Sequence, residues 1–208
     1  MLLYYITDRR AFPGTDAEQR AALLRRVADC ARAGVDYIQV REKDLTAREL
    51  EHLARGAVQA VRDNSASTKL LINSRADVAL ACGANGIHLP AGELTASEVR
   101  ALWRRCSGRE PLIGVSAHTV ADVRCTQAQG ADFAVLAPIF EKAQTGTPGI
   151  GLKAFADACT HTFAVMALGG VTVSNAPTCI EAGAAGVAGI RLFQQGDVLE
   201  TVRRLRQL

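Results

Sequence analysis

The chain has 208 residues, 49% hydrophobic and 22% charged, a balance that excludes wholesale disorder and suits one globular domain over residues 1–208. Its net charge of +3 is too small to favour nucleic acid as a partner. No apolar run reaches the length of about eighteen residues that a membrane-spanning helix needs, so no membrane partner is expected.

Short apolar runs alternate with longer segments of helical period along the chain. The runs are rich in Val, Ile, Leu and Tyr and predict eight strands, over residues 2–7, 37–40, 70–73, 86–89, 112–116, 133–137, 164–168 and 186–190. After the first run, Leu23, Val27 and Ala31 recur at the spacing of one helix face. Further along, Thr95 followed by Glu98 predicts a capping box at the start of the fourth helix.

A repeated pattern ends four of the predicted helices. Gly34, Gly83, Gly130 and Gly183 each stand just before a predicted strand, where a helix C-terminus favours a left-handed residue. Strands that alternate with helices give a parallel sheet with both faces covered. Eight such units favour closure into a (β/α)8 TIM barrel of the α/β class, with an open doubly wound sheet as the alternative.

Ligands of such barrels bind at the carboxyl ends of the strands. The second predicted strand runs into Gln39, Arg41 and Lys43, and this alternate spacing places the three side chains on one face. Buried charge without a partner is costly, so this face predicts an anionic ligand. The alternative is that Arg41 and Lys43 pair with acids at the rim of the fold.

The ends of the seventh and eighth strands predict a phosphate site. Gly169 and Gly170 precede the start of a helix, and small residues there let backbone N–H groups approach an anion. The alternative for this pair is a tight turn. Arg191 could add a charged contact to the same phosphate, or it could form a salt bridge with Asp197.

Other strand ends carry candidates for a metal and for proton transfer. Asn73 and Glu93 could supply oxygen ligands to Mg2+. His118 could act as a general acid or base, or could simply hydrogen-bond to its loop. His88 lies within a strand and is expected to be a core histidine, and Asp77 is expected to cap or pair locally.

The cysteines and the amino terminus bear on the compartment. The six cysteines are widely spaced without a Cys-x-x-Cys pair, and at least four fall in helical patterns. This usage predicts reduced structural thiols rather than a metal site. The first residues lack the basic start of a signal peptide, so a cytoplasmic protein is expected.

Essentially the whole chain resembles the thiamine phosphate synthase/TenI family. The resemblance rests on seven segments in the family's order: Tyr5-Ile-Thr-Asp8, Gln39-Val-Arg-Glu-Lys-Asp44, Leu71-Ile-Asn73, Gly86-Ile-His-Leu89, Ile113-Gly-Val-Ser-Ala-His-Thr119, Pro138-Ile-Phe140 and Leu168-Gly-Gly-Val171. It implies a (β/α)8 barrel and a transferase of thiamine biosynthesis. Such synthases join hydroxymethylpyrimidine diphosphate to a carboxylated thiazole phosphate, with release of diphosphate and CO2, while Mg2+ and basic residues stabilise the departing diphosphate.

The resemblance also implies roles for individual residues. The positions that match the pyrimidine diphosphate site are Gln39, Arg41, Lys43, Asn73 and Ser116. Gly169 and Gly170, with the strand-eight turn at Ile190 and Arg191, match the thiazole phosphate site. We expect Arg41, Lys43, Ser116 and His118 to take part in catalysis.

The chain departs from the family pattern at four places. Ser74 stands where a metal-binding aspartate is usual, and Glu93 where the second metal acid is an aspartate, so Mg2+ remains an open expectation with these two as ligands. The loop after strand six has Lys142 at a displaced position, and Arg191 replaces a serine. We hypothesise that Lys142 and Arg191 compensate for the lost contacts.

Two other functions stay open on the sequence. One is the thiazole tautomerase branch, an isomerase that uses a histidine where His118 stands and needs no diphosphate site. The other is a non-catalytic regulatory barrel that binds a phosphorylated ligand. All of these have phosphorylated small molecules as partners, and a homo-oligomer is compatible with each.

Overall fold

The computed structural model of the protein describes residues 1–141, 146, 148–159 and 163–208. Eight parallel strands close into a barrel in chain order, with the last strand paired to the first. They are β1 (Leu2–Ile6), β2 (Tyr37–Val40), β3 (Lys69–Asn73), β4 (Gly86–Leu89), β5 (Leu112–Ala117), β6 (Phe133–Leu136), β7 (Ala164–Ala167) and β8 (Gly186–Gly189). The predicted TIM barrel is confirmed, and the open doubly wound sheet is wrong.

Helices follow every strand and cover the outside of the barrel. They are α1 (Asp16–Ala33), α2 (Ala47–Asn64), α3 (Ala76–Cys82), α4 (Ala96–Ser107), α5 (Val120–Ala128), α6 (Gly151–Ala158), α7 (Ala176–Glu181), α8 (Arg191–Gln194) and α9 (Val198–Leu205). The capping box of Thr95 and Glu98 is confirmed, and α1, α2 and α5 begin with the same device. The four predicted glycines all take a left-handed conformation. In the part of the chain that the structure describes, no helix is both long and apolar enough to cross a membrane.

Two separate apolar cores hold the barrel together. The larger lies between the strands and the helices, and Trp103, Leu23 and Phe155 are among its buried members. The smaller fills the barrel interior, where the rings of Tyr37 and Phe133 stack with centroids 5.2 Å apart. Gly114 makes room for this layer, because a Cβ there would lie 2.3 Å from the Phe133 ring. The interior is therefore a packed core rather than a pore.

Polar side chains join neighbouring strands at the amino-terminal end of the barrel. Asp36, Asn85 and Asp132 each precede a strand and accept the backbone N–H of a residue in the preceding strand, at 2.7, 2.8 and 2.7 Å. The same carboxylates of Asp36 and Asp132 also pair with Arg206 and Arg100. A repeated sequence pattern thus becomes a repeated hydrogen bond that joins neighbouring strands.

Candidate active site

The residues after β2 rise out of the barrel interior towards solvent. Gln39 is buried inside the barrel, Arg41 is half-buried and Lys43 is exposed. Neither the Arg41 guanidinium nor the Lys43 ammonium forms an ion pair with any other residue that the structure describes. The nearby acids are instead taken by arginines of the first loop, because Glu42 binds Arg9 while Asp44 binds Arg9 and Arg10. The alternative of rim ion pairs for Arg41 and Lys43 is therefore wrong within the described chain.

A cluster of buried Thr7, Arg9 and Glu42 with the more exposed Asp44 fixes this segment. The Thr7 hydroxyl donates to Glu42 at 2.6 Å and accepts the Arg41 backbone N–H at 3.0 Å. The Arg9 guanidinium, only 5% exposed, binds Glu42 at 3.1 Å and Asp44 at 2.7 Å. Burial raises the pKa of Glu42, although hydrogen bonds from Thr7 and Arg9 oppose that shift. Because Glu42 is held inward, Arg41 on its amino-terminal side is directed to the other face of the segment.

Sequence reasoning missed the role of Arg9 and Glu42. Their signal was present, since Glu42 alternates out of phase with Gln39, Arg41 and Lys43 and so had to face the opposite side. What the sequence lacked was the pairing of Arg9 with Glu42, which are 33 residues apart in the chain.

The end of β3 holds an amide and a hydroxyl in a strained turn. Ser74 has a φ of +60°, a left-handed conformation that a residue with a Cβ rarely adopts. Its backbone N–H donates to the His88 carbonyl oxygen at 2.9 Å, and its hydroxyl accepts from the Asn73 amide nitrogen at 3.0 Å. No described residue donates a hydrogen bond to the Asn73 amide oxygen. Glu93, exposed between β4 and α4, supplies a carboxylate near the same end of the barrel.

Ser116 and His118 lie on and just after β5. The Ser116 hydroxyl lies 2.9 Å from Nε2 of His88, which is buried as predicted. His118 is exposed, and its Nδ1 lies 3.0 Å from the Ala137 carbonyl oxygen. A carbonyl only accepts, so Nδ1 of His118 carries a proton, and no described residue forms a hydrogen bond with Nε2. Both expected roles of His118 are thus compatible, because the loop contact leaves Nε2 available.

Gly169 and Gly170 form a turn that side chains could not occupy. Their φ values are +96° and +70°, and an added Cβ would lie 2.7 Å from the Pro138 Cα or from the Phe140 Cβ. Asn175 braces the turn by accepting the Thr172 backbone N–H and donating to the Gly170 carbonyl. Both glycines are thus required by the turn and by its packing against the loop after β6, and the phosphate site at this turn stays a prediction.

Arg191 begins α8 directly after Ile190, and it is exposed. Asp197, the alternative salt-bridge partner of Arg191, instead caps α9 by accepting the N–H groups of Leu199 and Glu200. The salt bridge between Arg191 and Asp197 is absent from the described structure, so Arg191 stays available to an anion. Lys142, the other predicted compensating cation, falls outside the described residues.

The predicted site residues converge on one end of the barrel. They lie near or after the carboxyl ends of β2, β3, β4, β5, β7 and β8, and the carboxyl ends of parallel strands in a closed barrel share one rim. Asp77 lies apart and pairs locally with Arg75, as predicted. Within residues 1–141, 146, 148–159 and 163–208, no three His, Cys, Asp or Glu side chains form a metal-binding group. Any Mg2+ would therefore depend on Glu93, on neutral oxygen donors and on the ligand itself.

Known proteins resemble this chain in sequence and in fold. A Geobacter sulfurreducens protein, provisionally named a thiamine-phosphate synthase, is 42% identical over 99% of this chain and 93% of its own length. A thiamine-phosphate synthase of Roseiflexus sp. is 37% identical over 91% of this chain and 76% of its own. Thiamine phosphate pyrophosphorylase from Pyrococcus furiosus shares the fold, with a TM-score of 0.80 at 24% identity over 99% of this chain and 94% of that one. The sequence profile described as thiamine monophosphate synthase matches residues 3–193, and the chain therefore belongs to that family.

Proposed function

We propose that this protein is a thiamine phosphate synthase, formed by one barrel domain over residues 1–208. It would join hydroxymethylpyrimidine diphosphate to a (carboxy)thiazole phosphate and release diphosphate. The observation that carries the proposal is the pair of cations after β2, Arg41 and Lys43, which have no acidic partner among the described residues. Unpaired cations beside a buried amide suit a diphosphate leaving group, which a tautomerase would not need.

The two phosphorylated substrates would occupy different arcs of the same rim. Arg41, Lys43 and Asn73, after β2 and β3, would bind the diphosphate and stabilise the negative charge that grows as it departs. Gly169, Gly170 and the turn at Ile190 and Arg191 would hold the thiazole phosphate. Separate anion sites keep the two substrates oriented towards each other.

The residues at the β3 and β4 ends would fit Mg2+. Glu93 offers a carboxylate, Ser74 a hydroxyl and Asn73 an amide oxygen, and Mg2+ prefers oxygen ligands and uses substrate phosphates to complete its coordination. Bound there, the ion would neutralise charge on the diphosphate. Glu93, with its longer side chain, would take the place of the second metal-binding aspartate of the family, whereas Ser74 leaves the first one without a carboxylate.

The free state of the six cysteines supports a cytoplasmic location, which we also propose. Cys30, Cys82 and Cys179 are buried, and burial raises the pKa of each thiol, so these three serve packing rather than chemistry.

The first test is isothermal titration of the purified protein with hydroxymethylpyrimidine diphosphate, with and without Mg2+. We expect micromolar binding that tightens with Mg2+, followed by diphosphate release when thiazole phosphate is added. Clear binding of thiazole phosphate, with no binding of hydroxymethylpyrimidine diphosphate, would contradict the synthase. It would favour the thiazole tautomerase, for which the free Nε2 of His118 is the supporting observation.

A further inference from the structure

A chain of hydrogen bonds crosses the barrel interior from β2 to β5. Gln39 donates from Nε2 to the Tyr4 hydroxyl at 2.8 Å. The Tyr4 hydroxyl lies 3.1 Å from Nδ1 of His88, and Nε2 of His88 lies 2.9 Å from the Ser116 hydroxyl. Gln39, Tyr4 and His88 are at most 3% exposed, whereas Ser116 reaches the rim.

A series of buried hydrogen bonds is unusual in an apolar core, and it suggests a role at the carboxyl-terminal rim of the barrel. Its neighbours in the interior are Leu71, Phe133 and Met166, which need no polar partner. Replacing a buried hydrogen-bonded pair by apolar groups of similar shape is nearly neutral or stabilising in many proteins, so stability alone does not call for it. Buried polar groups that break the local pattern are typical of functional sites.

The donors in the chain run in one direction. Gln39 donates to the Tyr4 oxygen, and Nδ1 of His88 is the other described partner of this buried hydroxyl, so the Tyr4 hydrogen is directed to Nδ1. Nδ1 is then an acceptor, and the single proton of a neutral imidazole is on Nε2, where it is donated to Ser116. Tyr4 and Ser116 are the side chains hydrogen-bonded to the two ring nitrogens of His88, so the direction of these hydrogen bonds rests on their positions.

Ser116 is left with a hydroxyl hydrogen to donate. Its oxygen already accepts from His88, and no described residue accepts the Ser116 hydroxyl in return. Ser116 lies on the rim shared with Arg41 and Asn73, where anionic oxygens of a ligand would need donors.

We propose that Tyr4 and His88 are positioning residues that orient Ser116 as a hydrogen-bond donor to a diphosphate oxygen. The identity of the ligand rests on the proposed function, whereas the donor-to-acceptor direction of the hydrogen bonds rests on the interior contacts. In this arrangement, no described residue accepts the Ser116 hydrogen, so the hydroxyl is available as a donor before the ligand binds.

The direction of the chain is tested without substrate by ¹⁵N NMR of the imidazole nitrogens. The His88 signals are identified as those missing in His88→Gln among the four histidines of the chain. We expect Nε2 to be protonated and Nδ1 to be unprotonated at neutral pH. A proton on Nδ1 would overturn the proposal, because Ser116 would then donate to His88.

The effect on the ligand is tested by a double-mutant cycle on diphosphate release. Tyr4→Phe removes only the hydroxyl, and we expect kcat/KM to fall about 10-fold, with Ser116→Ala falling about 100-fold. The double variant should match Ser116→Ala, because Tyr4 acts only through Ser116. Multiplying effects would mean a general structural role and would overturn the proposal.

Rescue by a conservative variant provides a further control. His88→Gln keeps an N–H group that can reach Ser116 and should retain activity within about 5-fold, whereas His88→Leu should resemble Ser116→Ala. Binding of inorganic diphosphate should weaken in the same order.

If the wild-type protein releases no diphosphate from the pyrimidine substrate, the proposed synthase function is wrong, and the NMR result still decides the direction of the hydrogen bonds. If the synthase is active and the effects of the two substitutions on kcat/KM multiply, the positioning role is wrong and the synthase function stands.

Discussion

At the amino-terminal end of the barrel, Asp36 and Asp132 are paired with Arg206 and Arg100, whereas at the carboxyl end Arg41 has no ionic partner among the described residues. A crevice of about 700 Å3 opens at the amino-terminal end. Among the acids that line it, Asp36 and Asp132 accept backbone N–H groups and pair with arginines, and Glu110 pairs with Arg100 and Arg104. The size of an opening therefore says less about function here than the pairing of its charges.

The carboxyl end combines paired and unpaired charge within one short segment. Glu42 and Asp44 are bound to Arg9, whereas Arg41 and Lys43, between and beside them, are not bound to any described acid. Paired groups fix the segment, and unpaired groups on its other face are left for an anion. The comparison of the two ends predicts that paired charges affect stability and unpaired charges affect activity.

The largest effect is expected from an unpaired charge. Arg41→Ala should lower kcat/KM for diphosphate release by about 100-fold or more, since a charged contact to the leaving group is lost, while the free energy of unfolding changes little. Steady-state kinetics and urea unfolding measure the two quantities. Arg48→Ala, at an exposed arginine of α2, is the matched control and should change neither. A large loss of stability in Arg41→Ala with normal kinetics would contradict the comparison.

The strands of this barrel could be predicted closely from the sequence, and the reason is physical. Parallel strands in a barrel are buried on both faces, so they appear as apolar runs, and β2 and β4 begin and end at the predicted residues. The rim was predictable as well, because polar residues such as Asn73 and Ser116 follow these runs directly.

Contacts between distant residues could not be predicted in this way. Tyr4 and His88 are 84 residues apart and meet only because the barrel closes with a particular register. His88 was expected to be a core histidine, which is confirmed, but its two partners depend on the side chains that face it across the interior. Likewise, the choice of Arg9 rather than Arg41 as partner of Glu42 depends on how the first loop folds.

The next effect concerns a paired charge at the carboxyl end. Glu42→Gln keeps the shape but leaves the buried Arg9 with one carboxylate fewer, so the free energy of unfolding should fall by about 2–3 kcal/mol. The control is Glu51→Gln, which breaks an exposed i,i+4 pair with Arg55 and should cost no more than about 0.5 kcal/mol. Equal costs for the two variants in urea unfolding would show that burial of the cluster does not matter.

The smallest effect is expected at the amino-terminal end, from Asp132→Ala. This change removes the acceptor of the Ile113 backbone N–H and one partner of Arg100. The side chain is partly exposed, so water can replace some of these contacts, and we expect a loss of about 1 kcal/mol. Asp132→Asn keeps an oxygen acceptor and should recover most of that loss, because the hydrogen bond to the strand matters more than the surface ion pair. Both variants should keep kcat/KM within about twofold of the wild type, since their site lies at the end of the barrel away from the rim. A kinetic defect at either variant would mean that the two ends are coupled through the strands, and the separation of stability from activity would fail.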